Sequence, residues 1–211
     1  MINQTDIMET LSYMLGENNV PTSSVATSRK NFIQRTLEEV YRAYPWPFAQ
    51  STASLSFDNG TATLPANFDI QHKVYAYFYN GDTQTALTEI NVGDSDWYQD
   101  YDYKFWIENI ADNTYAIKTK DTGYSTAVIK YQTAPPVINA TVYTPFSDQT
   151  TIALGARRYV KLGQNPDADI SQDEALFQKR LNENMAAQQV NRPLRKHRSI
   201  YKANNYRLGD V

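Results

Sequence analysis

Two hydrophobic periods divide this chain: helical spacing at both ends and strict alternation in the middle. From Thr5 to Leu15, Ile7, Leu11 and Met14 or Leu15 recur on one face, and Gly16 supplies a stop. Asn18 to Thr27 is polar, contains Pro21 and reads as a connecting loop. From Ser28 to Tyr44 the positions Ile33, Leu37, Val40, Tyr41 and Tyr44 again keep helical spacing, and Pro45 ends the run. Glu38 and Arg42, four residues apart, are placed to pair on its outer side. Towards the C-terminus, Ser147 to Gln189 reads as two helices punctuated by Gly163 to Pro166. Ile152, Ala156, Tyr159 and Val160 mark the apolar side of the first, and Leu176, Phe177, Leu181 and Met185 that of the second. Gly163 suits a left-handed C-cap, and Pro166 cannot continue the coil. Ser171 opens the last helix, with Asp173 and Glu174 in its first turn, where the helix dipole favours negative charge.

The change of period comes at Tyr44-Pro45-Trp46-Pro47-Phe48-Ala49. Two prolines around Trp46, followed by Phe48, predict a stiff corner that drives two large rings into a core. Leu55 and Phe57, then Ala62 and Leu64, flank Asp58-Asn59-Gly60, a strong hairpin signal. Lys73 to Tyr79 ends at a second turn, Asn80-Gly81. Ala86 to Val92, Tyr103 to Ile107, Tyr115 to Thr119 and Ser125 to Gln132 supply further strands before Ala134-Pro135-Pro136 closes the series.

Each helical pair is apolar on one side and lacks a partner until the other pair arrives. The expected architecture is therefore α+β. A four-helix bundle forms from the N- and C-terminal helix pairs, residues 1–49 and 146–189. Residues 50–145 form a central antiparallel β-sandwich or barrel-like insertion, and residues 190–211 form an extended basic C-terminal arm. Ile33, Leu37, Val40, Trp46, Phe48, Ile152, Tyr159, Phe177 and Leu181 are the expected core of bundle and corner.

Composition supports a packed protein: 211 residues, 41% hydrophobic and 20% charged. Sixteen tyrosines suit strands or a contact surface. There is no cysteine, which removes disulfides and thiolate metal sites. No apolar run reaches a membrane span, and MINQTDIMET does not resemble a signal peptide, so a soluble protein assembled in the cytoplasm is expected. On that expectation the Asn-x-Thr triplets at Asn3, Asn59 and Asn139 are coincidental.

Catalytic chemistry finds little support. The histidines are His72 and His197, and the chain contains no G-x-S-x-G, phosphate loop or G-x-G-x-x-G. No catalytic residue, cofactor or metal site is predicted. Asp94 to Asp102 alternates carboxylates like the start of a calcium loop, but it lacks the glycine at the sixth place, and Phe105 stands where the bidentate glutamate belongs. Trp97, Tyr98, Tyr101 and Trp106 beside these acids also fit a sugar-stacking surface, although aromatics in strands are normally core.

The net charge of −3 conceals a split: residues 190–211 carry six basic side chains against Asp210 alone, which leaves them at +5 and the preceding body at −8. Within this arm Arg192, Arg195, Lys196, Arg198, Lys202 and Arg207 alternate with Leu194, Ile200, Tyr201, Tyr206 and Leu208. Charges that steer and apolar groups that fix the register suit an arm ordering on a protein partner. Nucleic acid is the rival ligand, although an acidic body opposes it.

Several stretches, weak singly, occur in an order that resembles the head–tail connector, or adaptor, proteins of tailed bacteriophages. Arg35-Thr36-Leu37-Glu38-Glu39-Val40 leading into Tyr44-Pro45-Trp46-Pro47-Phe48-Ala49 is similar to that family's helix and Trp-x-Phe-Ala corner. Leu64-Pro65-Ala66-Asn67-Phe68-Asp69 is similar to its Leu-Pro-x-Asp-Phe turn, with Asn67 replacing the acid. Tyr131-Gln132-Thr133-Ala134-Pro135-Pro136, Pro145-Phe146 and Ala153-Leu154-Gly155-Ala156-Arg157-Arg158 follow at the usual distances. The resemblance spans nearly the whole chain. It implies a structural, non-catalytic virion protein of the neck, assembled in the host cytoplasm as a homo-oligomeric ring of about twelve copies. Its implied partners are the portal protein above and a tail or further neck protein below. DNA passes through the ring without sequence-specific binding, and no membrane is involved. It further implies that the arm, Arg192 to Arg207, docks on the portal or on a neighbouring subunit. A virion carbohydrate- or receptor-binding β module, or a DNA-binding protein acting through the arm, are the alternatives.

Overall fold

Three helices pack against a fourth. The computed structural model describes residues 1–72, 74–90, 104–112, 114–120 and 122–190. Its helices are α1 (Gln4–Met14), α2 (Ser23–Ala43), α3 (Gln149–Gln164) and α4 (Ser171–Val190). Helix α3 contacts each of the others extensively, whereas α4 scarcely meets α1 or α2. This corrects the expected four-helix bundle of N- and C-terminal pairs. Hydrophobic periodicity reports which side of a helix is covered and says nothing about which helix covers it. What decides the arrangement is the small-residue run Ala153, Gly155 and Ala156, buried on several sides of α3, which lets neighbours approach from different directions.

Gly155 is the tightest of these approaches. A Cβ there would overlap Thr36 Cγ2 from α2 and lie 3.0 Å from Phe177 Cε2 of α4. Phe32, one turn before Thr36, stacks on Tyr159 and lies beside Gly163, so α2 runs antiparallel to α3. At the other flank Lys161 meets Asp173 and Asn184 meets Thr151, so α4 is also antiparallel to α3. Gly163 is not the expected left-handed cap. The helix continues through it to Gln164, and Asn165 caps in an extended conformation with its N–H on the Lys161 carbonyl. Helix α2 begins at Ser23, earlier than Ser28, because Ser and Thr tolerate a first turn that periodicity alone does not mark.

The strands are β1 (Gln50–Ser56), β2 (Thr61–Thr63), β3 (Tyr75–Asn80), β4 (Thr83–Glu89), β5 (Lys104–Ala111), β6 (Thr114–Lys118) and β7 (Thr126–Gln132). They form one seven-stranded sheet in the order β1-β7-β3-β4-β5-β6-β2. The hairpin at Asp58-Asn59-Gly60 joins its two edge strands and nearly closes it into a barrel. Asn59 and Gly60 both take positive φ, 48° and 74°, and a Cβ on Gly60 would lie 2.5 Å from the Thr119 carbonyl. The sheet is mixed, not antiparallel as expected: β4 and β5 pair in parallel through Thr88–Lys104 and Glu89–Phe105. Alternation identifies strands without their direction, and the connection between these two lies outside the described residues.

Two apolar clusters result. One gathers the helices with Trp46, Ile138 and Phe146, and the other fills the sheet around Phe78, Phe105, Ile117 and Ile129. Replacing Gly155 by alanine is expected to cost about 1–3 kcal/mol, because Thr36 is fully buried and β-branched and cannot swing aside. Urea denaturation of the variant measures this, and an unchanged midpoint would contradict the packing.

Candidate assembly site

The end of α2 is where the helical and β parts are tied together. A helix leaves its last carbonyls without partners, and Pro45 prevents the chain from supplying them by another turn. Two side chains take over. Trp46 Nε1 donates to the Val40 carbonyl at 2.6 Å, and Gln132 Nε2, at the end of β7, donates to the Tyr41 carbonyl at 2.9 Å. Trp46 then stacks on Phe48 at 5.5 Å and meets Phe146 edge-on at 5.2 Å. Around this joint Thr133 N donates to Ala49 O, Ala134 N to Asn67 O, and Tyr131 Oη to Asn67 Oδ1. Stretches far apart in sequence (the corner, the Leu64–Asp69 turn, the end of β7 and Pro145-Phe146) thus converge on one junction. Trp46→Ala removes the fully buried ring together with its N–H bond, and a loss of about 3–5 kcal/mol in urea denaturation is expected; a midpoint near that of the unaltered protein would contradict this placement.

A charged clasp holds the helices on the other side of Gly155. The nearly buried Arg158 reaches Glu39 on α2 at 2.6 Å and also bonds Glu174 on α4, while its guanidinium lies 4.1 Å from the Phe177 ring centroid. Tyr159 donates its hydroxyl to Glu39, and Arg35 lies over the same ring at 4.3 Å. Buried Asp173 pairs with Lys161 at 2.5 Å and Arg157 at 3.6 Å. At the opposite end of α3, Asp148 caps the helix by accepting from the Thr150 and Thr151 N–H groups, the Thr151 hydroxyl and Asn184 Nδ2. Burial opposes ionisation of Asp148, but the bonds from Asn184 and Thr151 outweigh it and hold the carboxyl below its ordinary range. Burial likewise opposes Glu174, and Gln178 and Arg158 overcome it, again lowering the carboxyl. Arg29 of α2 holds Glu17, in the α1–α2 connection, below its ordinary range through paired contacts of 2.5 Å.

Ile33, Leu37, Val40, Trp46, Ile152, Phe177 and Leu181 all lie in the helical cluster, with Phe48 packed against it half-buried. Tyr159 sits at the rim, in the clasp, not in the apolar centre. The arm residues Arg192, Leu194, Arg195, Lys196, Arg198, Ile200, Tyr201, Lys202, Tyr206 and Arg207 lie outside the described residues, as do Asp94 to Asp102 with Trp97, Tyr98 and Tyr101. Trp106 is buried within β5. The roles of Gln132 and Arg158 were missed in sequence. A cation in the small, apolar stretch Ala153 to Val160 was a signal for Arg158, but nothing in a strand-ending glutamine announces a helix cap. Among the described residues no group of three acidic or histidine side chains could hold a metal ion, and no helix is long and apolar enough to cross a membrane.

The outward side of α2 forms a shallow trough of about 390 Å³ lined by Asn31, Gln34, Arg35, Glu38, Glu39 and Arg42. The expected Glu38–Arg42 pair is not made, and both charges face the trough. No family model matches the sequence, and no curated protein is significantly similar to it.

Because the Asp148, Glu174 and Glu17 carboxyls are lowered in the folded state, each contributes stability that is full above its unfolded pKa. That contribution is lost as pH falls through the folded value. The urea midpoint should therefore drop between about pH 5 and pH 3, and an Asp148→Asn, Glu174→Gln variant should show a flatter profile over the same window. An equally steep profile would remove these carboxylates as the cause.

Proposed function

We propose that this chain is a structural virion protein of a tailed bacteriophage. In this reading it is a head-to-tail adaptor that forms a homo-oligomeric ring below the portal, joins the capsid to the tail and surrounds the DNA ejection channel. The observation that carries the reading is the convergence at the end of α2 of all the stretches resembling that family except Ala153 to Arg158, which lies in the clasp. Trp46 and Phe48 from the corner, Asn67 from the proline turn, Gln132 and Thr133 from the end of β7, and Phe146 build one junction. A rigid joint between a helical body and a β module suits a part that transmits position between two assemblies rather than one that turns over a substrate.

The charge split adds to this reading. A body of −8 is suited to a channel wall that does not retain passing DNA, and a +5 arm is suited to an acidic protein surface such as the portal or a neighbouring subunit. The protein acts in the neck of the virion, assembled in the host cytoplasm, with a tail or further neck protein as its lower partner. No catalytic step, cofactor or metal enters the proposal.

Electron microscopy of particles from a lysate in which the gene is silenced tests it. DNA-filled or leaking heads beside free tails are expected, and complete tailed virions would overturn the proposal. Deletion of residues 192–211 should leave the helical and β parts folded by circular dichroism while abolishing incorporation into particles. Normal incorporation would remove the docking role of the arm.

A further inference from the structure

Helix α4 is covered on one side only. Of its side chains Asp173, Phe177 and Leu181 are buried and Glu174, Asn184 and Met185 are half-buried, while a face that includes Leu176, at 40% exposure, Lys179 and Glu183 is open. The outward side of α2 is open as well, and it is concave and charged. Both helices pack on α3, where Thr36 and Phe177 meet at Gly155 and Arg158 links Glu39 to Glu174, so the two open faces belong to different helices of one rigid group. We infer that the outward trough of α2 in one copy receives the outward face of α4 from a second copy of this chain, head to tail.

Direction and charge select this occupant. Helices α2 and α4 are each antiparallel to α3, so they run parallel to one another within a copy. Neighbours in a closed ring of many copies are related by a small rotation, which preserves helix direction. Helix α4 of the neighbour therefore also runs parallel to α2. In that orientation Glu38 and Arg42, four residues apart, oppose Lys179 and Glu183, which have the same spacing of about 6 Å and the reversed order of charge. The same register sets Leu176 beside the aliphatic stem of Arg35. Glu38 and Arg42 make no ion pair with each other, and Glu183 reaches Arg180 only at 3.8 Å, so these charges are available to a partner. Because the two faces are different surfaces of the chain, the contact is heterologous and propagates from copy to copy.

This inference rests on the ring proposed above, and its test separates the two. The chain has no cysteine, so a Glu38→Cys, Lys179→Cys variant carries thiols only at the seam. Treatment of the full chain with a short bis-maleimide should give a ladder of dimers, trimers and larger species on denaturing gels, while either single variant stops at dimer or below. Glu38→Lys should weaken self-association at least ~10-fold in sedimentation at low salt, and adding Lys179→Glu should restore it. Oligomers of the unaltered chain without a ladder would overturn the seam and leave the ring standing. A chain that stays monomeric at every concentration and gives no ladder would overturn both.

Discussion

The structure depends on how one helix ends. Pro45 stops α2 and leaves carbonyls that must find donors in a region with little access to water, where an unpaired carbonyl costs about 1–3 kcal/mol. Trp46 supplies one donor from six residues along the chain, and Gln132 supplies another from the far end of the sheet. The first bond fixes the direction in which the chain leaves the helix. The second fixes where β7 stops, and β7 lies between β1 and β3, so it orients one whole side of the sheet. A requirement of local backbone chemistry is thereby met by long-range contacts, which makes the junction specific as well as stable.

Helix α3 applies the same economy to packing. Its small residues admit neighbours closely, and Gly155 admits two at once. Such proximity would strand a cation among apolar groups. Arg158 avoids this by dividing its guanidinium between Glu39 and Glu174 over the face of Phe177. The pairing also explains why α4 keeps its place with so narrow an apolar contact. Its ends are held by Asp173 and Asn184, whose partners lie at opposite ends of α3. The faces of α4 and α2 turned away from α3 carry mostly charged and polar side chains.

The rigid joint and the charge split along the sequence act over different ranges. The joint is held by buried hydrogen bonds and ring contacts between segments distant in the chain. The charge asymmetry acts over a Debye length and is screened by salt. In the adaptor reading proposed above, these correspond to a stiff frame between two assemblies and an attachment whose electrostatics favour protein surfaces over nucleic acid.

Hydrophobic period, proline and the Asn-Gly turn determined the element types, the hairpin at Gly60 and the corner at Trp46, because each depends on residues close in the chain. Most of the buried positions followed for the same reason: periodicity records how one element divides its own surface between core and water. Tertiary structure alone decided that α3 stands between α2 and α4, that β4 and β5 run parallel, and that Gln132 caps α2. Each of these is a match between two surfaces distant in sequence, and a periodic pattern carries no address for its partner. The same limit explains Tyr159, whose spacing marks it as core. Its hydroxyl is drawn to the rim by Glu39, a residue that a pattern of apolar positions does not register.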